Sequence, residues 1–460
     1  MSKLTRLPVI SKFHSYAADA AHAIPGRKPK WMSAQEAVTL INSGDCVAVH
    51  QATATPVALL NALCDYGKAS NLRDVKLVQL LTFGASRCNS PEMNGILRPN
   101  CMFVSTDSRQ AVNDGRGDVM PVFLSEVPLL FHKEIVKPRV SLVQVTPADE
   151  HGFHSLGPTV DFIRAAIAKS EIVIGQVNKK LPRTFGDALV HESHFDALVE
   201  VDHDLPEVKP TPLSDEEKQI GKYIAENLVE DGSTLQTGIG SIPDAVLQQL
   251  TNHKDLGVHS EMISDGCVDL FNTGAITNRL KTIERGLIVA TFTIGTKKLF
   301  NFMNNNPSLI MRVSDFTNNQ FVIAQNPKVV AINSCLEIDL VGNVCSDTIG
   351  PKVYSGFGGQ VDFLRGAASS LDGKGKAILT FLSTTSKGES KIVPFLKPGA
   401  SVTTTRAHVH YVVTEYGIAQ LFGKNYRQRA YALINIAHPN HREALEKAAF
   451  ERLKCLPSKD

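Results

Sequence analysis

Residues 233–266 read STLQTGIGSIPDAVLQQLTNHKDLGVHSEMISDG, and this stretch decides the fold. A strand-like run, STLQTGIG, enters two glycines, after which Pro243 and Asp244 are expected to open an amphipathic helix. Glycines at such a turn let backbone N–H groups approach an anion, and the helix N-terminus adds positive potential. A second strand, roughly Leu256 to Ser260, brings the exposed-looking acid Glu261 to its carboxyl end. Open α/β sheets place their active sites at that edge. A phosphate-friendly turn beside a strand-end carboxylate points to an enzyme that holds an anionic cofactor and attacks it.

Outward from this unit, strand-like runs alternate with helical ones: VAVHQA, KLVQLLTF, VSLVQV and EIVIGQV before it, LIVATF, VVAINSC, AILTFL and VHYVVTE after it. This is the βαβ rhythm of a parallel or mixed sheet covered by helices. Ser33 with Glu36, and Ser214 with Glu217, have the spacing of capping boxes that start helices. The closing helix, HREALEKAAFERLK, is expected to open at Asn440. Between His203 and Glu217 a Pro- and acid-rich stretch breaks the rhythm, which sets a first domain over 33–213 and a second over 214–460. The second begins like the first: SGDCVAVHQATATPVALLNAL (43–63) lies over DGSTLQTGIGSIPDAVLQQL (231–250), Pro56 on Pro243 and Leu63 on Leu250. The fold expected is two similar open α/β domains with an active site in the cleft between them.

Composition narrows the classes. The chain has 460 residues, a length that suits two domains or three. A net charge of +2 without a concentrated basic stripe argues against nucleic acid as partner. No apolar run approaches the ~20 residues of a membrane helix. Eight scattered cysteines without a CxxC pair fit reduced thiols, not a disulfide framework or zinc ribbon. The HxxH pairs His151/His154, His191/His194 and His438/His441 lack the spacing of a zincin helix, and no metal is expected. Residues 1–32 carry Lys3, Arg6, Lys12, Arg27, Lys28 and Lys30 against one acid, Asp19. That composition is like a mitochondrial transit segment, with a cytoplasmic location the alternative.

The chemical motifs differ in weight. Gly238 to Ile242 is an incomplete nucleotide fingerprint and reads equally as a tight strand-to-helix turn. Ser355-Gly-Phe-Gly-Gly-Gln360 is stronger, because three glycines in four residues require φ > 0 or a close backbone approach, unless they form a bulge or hairpin tip. Adjacent N–H groups there suit an oxyanion hole. Lys387 and Lys391 lie on a polar loop, placed either for a phosphate or for solvent. No GxSxG elbow and no GxxxxGK[ST] loop occurs, which removes the main signals of serine hydrolases and P-loop kinases.

Together GIGSIPDAVL, KDLGVHSEMISDG, SGFGGQVDF and RAHVHYVVTEYGIAQLFGKN (406–425), with QVNKKLPRTFGD (176–187), resemble the acetyl-CoA hydrolase/transferase family, and within it the 4-hydroxybutyrate and acetate CoA-transferases. The resemblance runs from about Ser33 to the C-terminus. It implies that Glu261 is the covalent nucleophile and that Gly359 lines the oxyanion site. It also implies that Gly238, Ile239, Gly240, Ser241, Ile242, Ser355, Gly358 and Lys387 contact coenzyme A. The expected activity moves coenzyme A between a short acyl-CoA and a short carboxylate of the acetate, succinate, butyrate or 4-hydroxybutyrate class, through a glutamyl-CoA thioester. A carboxylate nucleophile needs no general base, in keeping with the lack of an obvious His partner. The alternatives are an acyl-CoA hydrolase using the same site and a non-catalytic acyl-CoA-binding protein. A homodimer is compatible with the resemblance.

Overall fold

The structure is a computed structural model that describes residues 19–460. The chain forms two compact units. One comprises the described residues up to Val208 together with Ala290–Phe316; the other comprises Lys209–Val289 and Thr317–Asp460. The chain leaves the first unit inside the Pro- and acid-rich stretch. The sequence reading runs the second domain unbroken from Ser214, whereas Cα packing groups Ala290–Phe316 with the first unit.

The first unit is built on an eight-stranded, wholly parallel sheet. Its order is Lys30–Trp31, Ala197–Val201, Ile172–Asn178, Val140–Val145, Cys46–Val49, Val75–Gln79, Leu97–Cys101 and Asp118–Val119. Val140–Val145 is buried at every position, as a central strand covered on both faces must be. The helix Val57–Ala69 buries Leu59, Leu60, Leu63 and Cys64 against one face. All eight cysteines of the chain are free thiols.

Only part of the expected transit segment is described, since residues 1–18 lie outside the described residues. From Asp19 to Met32 the chain is stitched into the first unit. Asp19 pairs with Arg164, Arg27 pairs with Asp196, and Lys30–Trp31 forms the edge strand beside Ala197–Leu198.

In the second unit the parallel strands Thr234–Thr237, Val329–Ser334, Lys376–Thr380 and Tyr411–Thr414 lie side by side, and Gly417–Gln420 adds antiparallel at the far edge. Thr234–Thr237 also pairs with Gly257–Val258 (parallel) and, at Thr237, with Met262 (antiparallel). Cys46–Val49 likewise pairs with the strand that follows it and with a later one, and each of the two leads into a helix. The internal repeat is therefore a repeat of topology. Both expected capping boxes form, at Ser33/Glu36 and Ser214/Glu217.

Two helix starts differ from expectation. The helix after the first glycine turn begins at Ser241, with Gly240 as its cap, so Pro243 sits inside its first turn. Proline is tolerated there because the N–H groups of that turn have no intrahelical partner. The C-terminal helix is Pro439–Leu453, and its cap is His438, whose ring accepts from the N–H of Asn440. Proline at the first helical position sets the start ahead of Asn440.

Candidate active site

Glu261 sits where the chain reverses. Gly257–Val258 runs parallel to Thr234–Thr237, and Met262–Ile263 runs antiparallel to it, so Glu261 is carried on the pivot between them. Ser260 fixes that pivot. Its hydroxyl donates to the Met262 carbonyl at 2.6 Å and accepts from Thr237 N at 3.3 Å, and its own N–H donates to Val289 O at 3.0 Å. The same ladder sets the first glycine turn beside the acid: Thr237, the residue before Gly238, pairs with Met262, the residue after Glu261.

Upstream, the strand is clamped by side chains where its neighbour breaks off. Val258 donates its N–H to Asn278 Oδ1 at 2.8 Å, and its carbonyl accepts from Lys281 Nζ at 2.8 Å. Lys281 also donates to Leu287 O at 2.6 Å. This lysine is fully buried, and burial pushes its pKa down to about 7. Its stem fills the space a side chain at Gly257 would take, with Cγ 2.6 Å from where that Cβ would stand.

Two donors converge on the Glu261 carboxylate. Asn318 Nδ2 donates to Oε2 at 2.8 Å, and the backbone N–H of Gly359 donates as well. A Cβ at residue 359 would stand 1.7 Å from Oε2 and 2.1 Å from Asn318 Nδ2, so only glycine fits. Neighbouring Gly358 has φ 54°, which glycine alone adopts at little cost. The two glycines thus meet the two requirements separately, one conformation and one close approach. Neither lies in a bulge or hairpin tip. Gly359 caps the helix Gln360–Ala368, whose N-terminus carries positive potential toward the carboxylate.

The carboxyl is nonetheless reluctant to ionise. Burial raises its pKa to about 7, Asp362 in the first turn of that helix pushes in the same direction, and the Asn318 and Gly359 hydrogen bonds pull against both. A carboxylate titrating near neutrality and gripped by two N–H donors has the properties of a poised nucleophile.

The other expected site residues are less closely joined to it. Gly238–Ile242 forms the strand-to-helix turn, Gly240 at φ 128°, with Ile239 held 48% exposed at its tip. Ser241 donates its hydroxyl to Glu217, tying this turn to the capping box of the preceding helix. Ser355 turns its hydroxyl inward, donating to Ser346 O at 3.2 Å. Lys387 lies on an exposed turn closed by the Thr385 N to Glu389 O bond of 2.8 Å. Among the described residues no group of three or more His, Cys, Asp or Glu side chains is disposed to hold a metal ion. Of the HxxH residues, His154, His194 and His441 bond the backbone carbonyls of Thr146, His22 and Gly388.

Residues 27–209 match the N-terminal domain of acetyl-CoA hydrolase/transferases, and residues 295–449 match the C-terminal domain. The chain belongs to the acetyl-CoA hydrolase/transferase family. It is 55% identical to a succinyl-CoA:acetate/propanoyl-CoA:succinate CoA transferase of Fasciola hepatica, over 95% of this chain and 91% of that one. It is 47% identical to a 4-hydroxybutyrate coenzyme A transferase of Clostridium kluyveri, over 91% of this chain and 96% of that one. Among solved structures it is similar to RipA from Yersinia pestis, with a TM-score of 0.88 at 34% identity, covering 93% and 98% of the two chains. This chain is, like its relatives, a CoA-transferase. Within the transferase, Asn318 is the site residue that the sequence reading did not single out.

Proposed function

We propose that the transferase exchanges coenzyme A between short acyl groups by a ping-pong route through Glu261. One observation carries this reading: Glu261 is held by Asn318 and Gly359 in a space that only a glycine leaves open. Oε2 is boxed between those two groups, which leaves Oε1 to attack the acyl-CoA carbonyl. That step forms a mixed anhydride and releases CoA thiolate. The thiolate then adds to the glutamyl carbonyl carbon, and the first acid leaves with Oε1. In that addition Oε2 becomes the oxyanion, facing the Asn318 amide, while the Gly359 N–H donates to the same carboxylate; donors of this kind are worth ~10²–10³ in rate. An incoming carboxylate reverses the steps on the glutamyl-CoA thioester and departs as the new acyl-CoA.

Coenzyme A itself is assigned to Gly238–Ile242, with Ser355, Gly358 and Lys387 as further contacts. The glycine turn supports this with its free backbone approach, its helix N-terminus and the exposed Ile239. The names of the relatives support short acids of the acetate, propionate, succinate and 4-hydroxybutyrate class. Transfer is favoured over hydrolysis because a covalent thioester is wasted if water is the acceptor.

The test is peptide mass mapping after incubation with acetyl-CoA and no acceptor. A CoA thioester on the peptide holding Glu261, discharged by a short carboxylate with new acyl-CoA appearing, is the expected result. Steady release of free CoA without an adduct would establish a hydrolase. Neither adduct nor release would return the protein to the acyl-CoA-binding class.

A further inference from the structure

Two residues before Glu261, on the same strand end, His259 is buried with 2% of its surface exposed. Its Nε2 lies 2.8 Å from the carbonyl oxygen of Thr317, 58 residues away in the chain. A carbonyl oxygen only accepts, so the ring carries its proton on Nε2 and donates it there. Thr317 immediately precedes Asn318, the residue whose amide grips Oε2 of Glu261. The segment that bears the nucleophile therefore also ties down the backbone of the residue that aims it. The loop closes through four groups: His259 ring, Thr317 carbonyl, Asn318 amide and Glu261 carboxylate. The same ring packs on Phe363, with centroids 6.3 Å apart, and Phe363 is fully buried in the helix capped by Gly359. His259 thus underlies both donors, through the Thr317 carbonyl on one side and Phe363 on the other.

We propose that His259 is a positioning residue for coenzyme A transfer, setting the Asn318 amide through the Thr317 carbonyl. The proposal rests on the reading of Glu261 as nucleophile. It acts on the chemical steps and not on acyl-CoA binding, because the two donors serve the reacting carboxylate. Displacement of a positioned group by about 1 Å is enough to cost ~10²-fold in rate.

The experiment is a cycle of His259→Phe, Asn318→Ala and the double variant in the full-length enzyme, with His259→Gln as rescue. Steady-state kcat and KM are measured with acetyl-CoA and succinate, and folding is checked by circular dichroism. Phenylalanine keeps the ring against Phe363 and removes the donor, whereas the Gln amide places an N–H near the position of Nε2. The expected result is a kcat lowered ~10–100-fold by His259→Phe with KM for acetyl-CoA changed less than about threefold. His259→Gln should restore most of the loss, and His259→Phe should cost less than about threefold when Asn318 is already alanine. An equal loss in both backgrounds, or no loss in a folded His259→Phe protein, would overturn the proposal. Should the Phe variant not fold, His259→Asn, whose amide falls short of Nε2, replaces it in the same cycle under the same criteria. Glu261→Gln is run beside them. Retained turnover there would refute the nucleophile itself, a failure distinct from an additive cycle in an enzyme that does need Glu261.

Discussion

Glu261→Gln should stabilise the folded protein, and by an amount that grows with pH. Glu261 has an ordinary pKa of 4.5 when unfolded and about 7 when folded. The folded state thus holds its proton longer than the unfolded chain does. The stability this confers is fully present below pH 4.5 and is lost as pH rises through about 7. At ~1.36 kcal/mol per pKa unit, the wild type carries a penalty of about 1 kcal/mol at pH 5.5 and about 3 kcal/mol at pH 8. The carboxylate keeps some solvent contact, so these figures are ceilings. Glutamine has the same shape, accepts from Asn318 and Gly359, and never ionises. Any pH-independent cost of the substitution cancels when the two pH values are compared, as does the titration of Lys281, common to both proteins. The advantage of the variant in Tm should widen by about 4–8 °C between pH 5.5 and pH 8, at ~2–4 °C per kcal/mol for a unit of this size. Differential scanning calorimetry on both proteins at the two pH values reads this directly. A difference that stays flat with pH, or a wild type gaining on the variant at pH 8, would refute the picture of a desolvated carboxyl titrating near neutrality.

Gly359→Ala should leave the fold intact, because φ −102° suits alanine, yet depress turnover by at least ~10²–10³-fold; circular dichroism and initial rates separate the two, and a fully active variant would place Glu261 elsewhere. Asn318→Ala and Asp362→Asn should move the acidic limb of kcat/KM in opposite directions, upward from about 7 for the lost donor and downward for the lost negative charge; a pH–rate profile in which both limbs stay put would contradict the assigned causes. If the basic N-terminus is removed on import into an organelle, as we propose, the cut should fall upstream of Asp19. Cleavage within 19–32 would strip the Arg164 and Asp196 partners and the edge strand Lys30–Trp31. N-terminal sequencing of the mature protein would decide it.

What the sequence makes legible here follows from range. Capping boxes, the βα rhythm and the two glycine turns are local patterns, and they are found where their residues place them. Glu261 and Gly359 were readable from motifs, but their contact was not, since nothing in SGFGGQ states that the absent β-carbon makes room for an acid 98 residues earlier. Asn318 stands in the polar run DFTNNQ, where three neighbouring amides look alike and only tertiary packing selects one. Lys281 was illegible for another reason. Lysines are read as solvated by default, and this one replaces missing ladder bonds on the strand that bears Glu261. The grouping of Ala290–Phe316 with the first unit is likewise a matter of long-range packing, for which LIVATF and its neighbours carry no local sign.

The boxing of Oε2 has a consequence for the traffic of oxygen atoms. On the proposed route Oε1 departs with the first acid, and the incoming carboxylate donates an oxygen in its place, so every turnover renews one atom of the Glu261 side chain. Oε2, pinned between Asn318 and the space where residue 359 has no side chain, never enters a bond that breaks. A carboxylate free to spin would scramble the two. On this route one oxygen would pass from acid to acid like a baton, and its twin would stay with the protein for life. Prolonged turnover with ¹⁸O-labelled carboxylate would mark Glu261 with a single heavy atom and stop there.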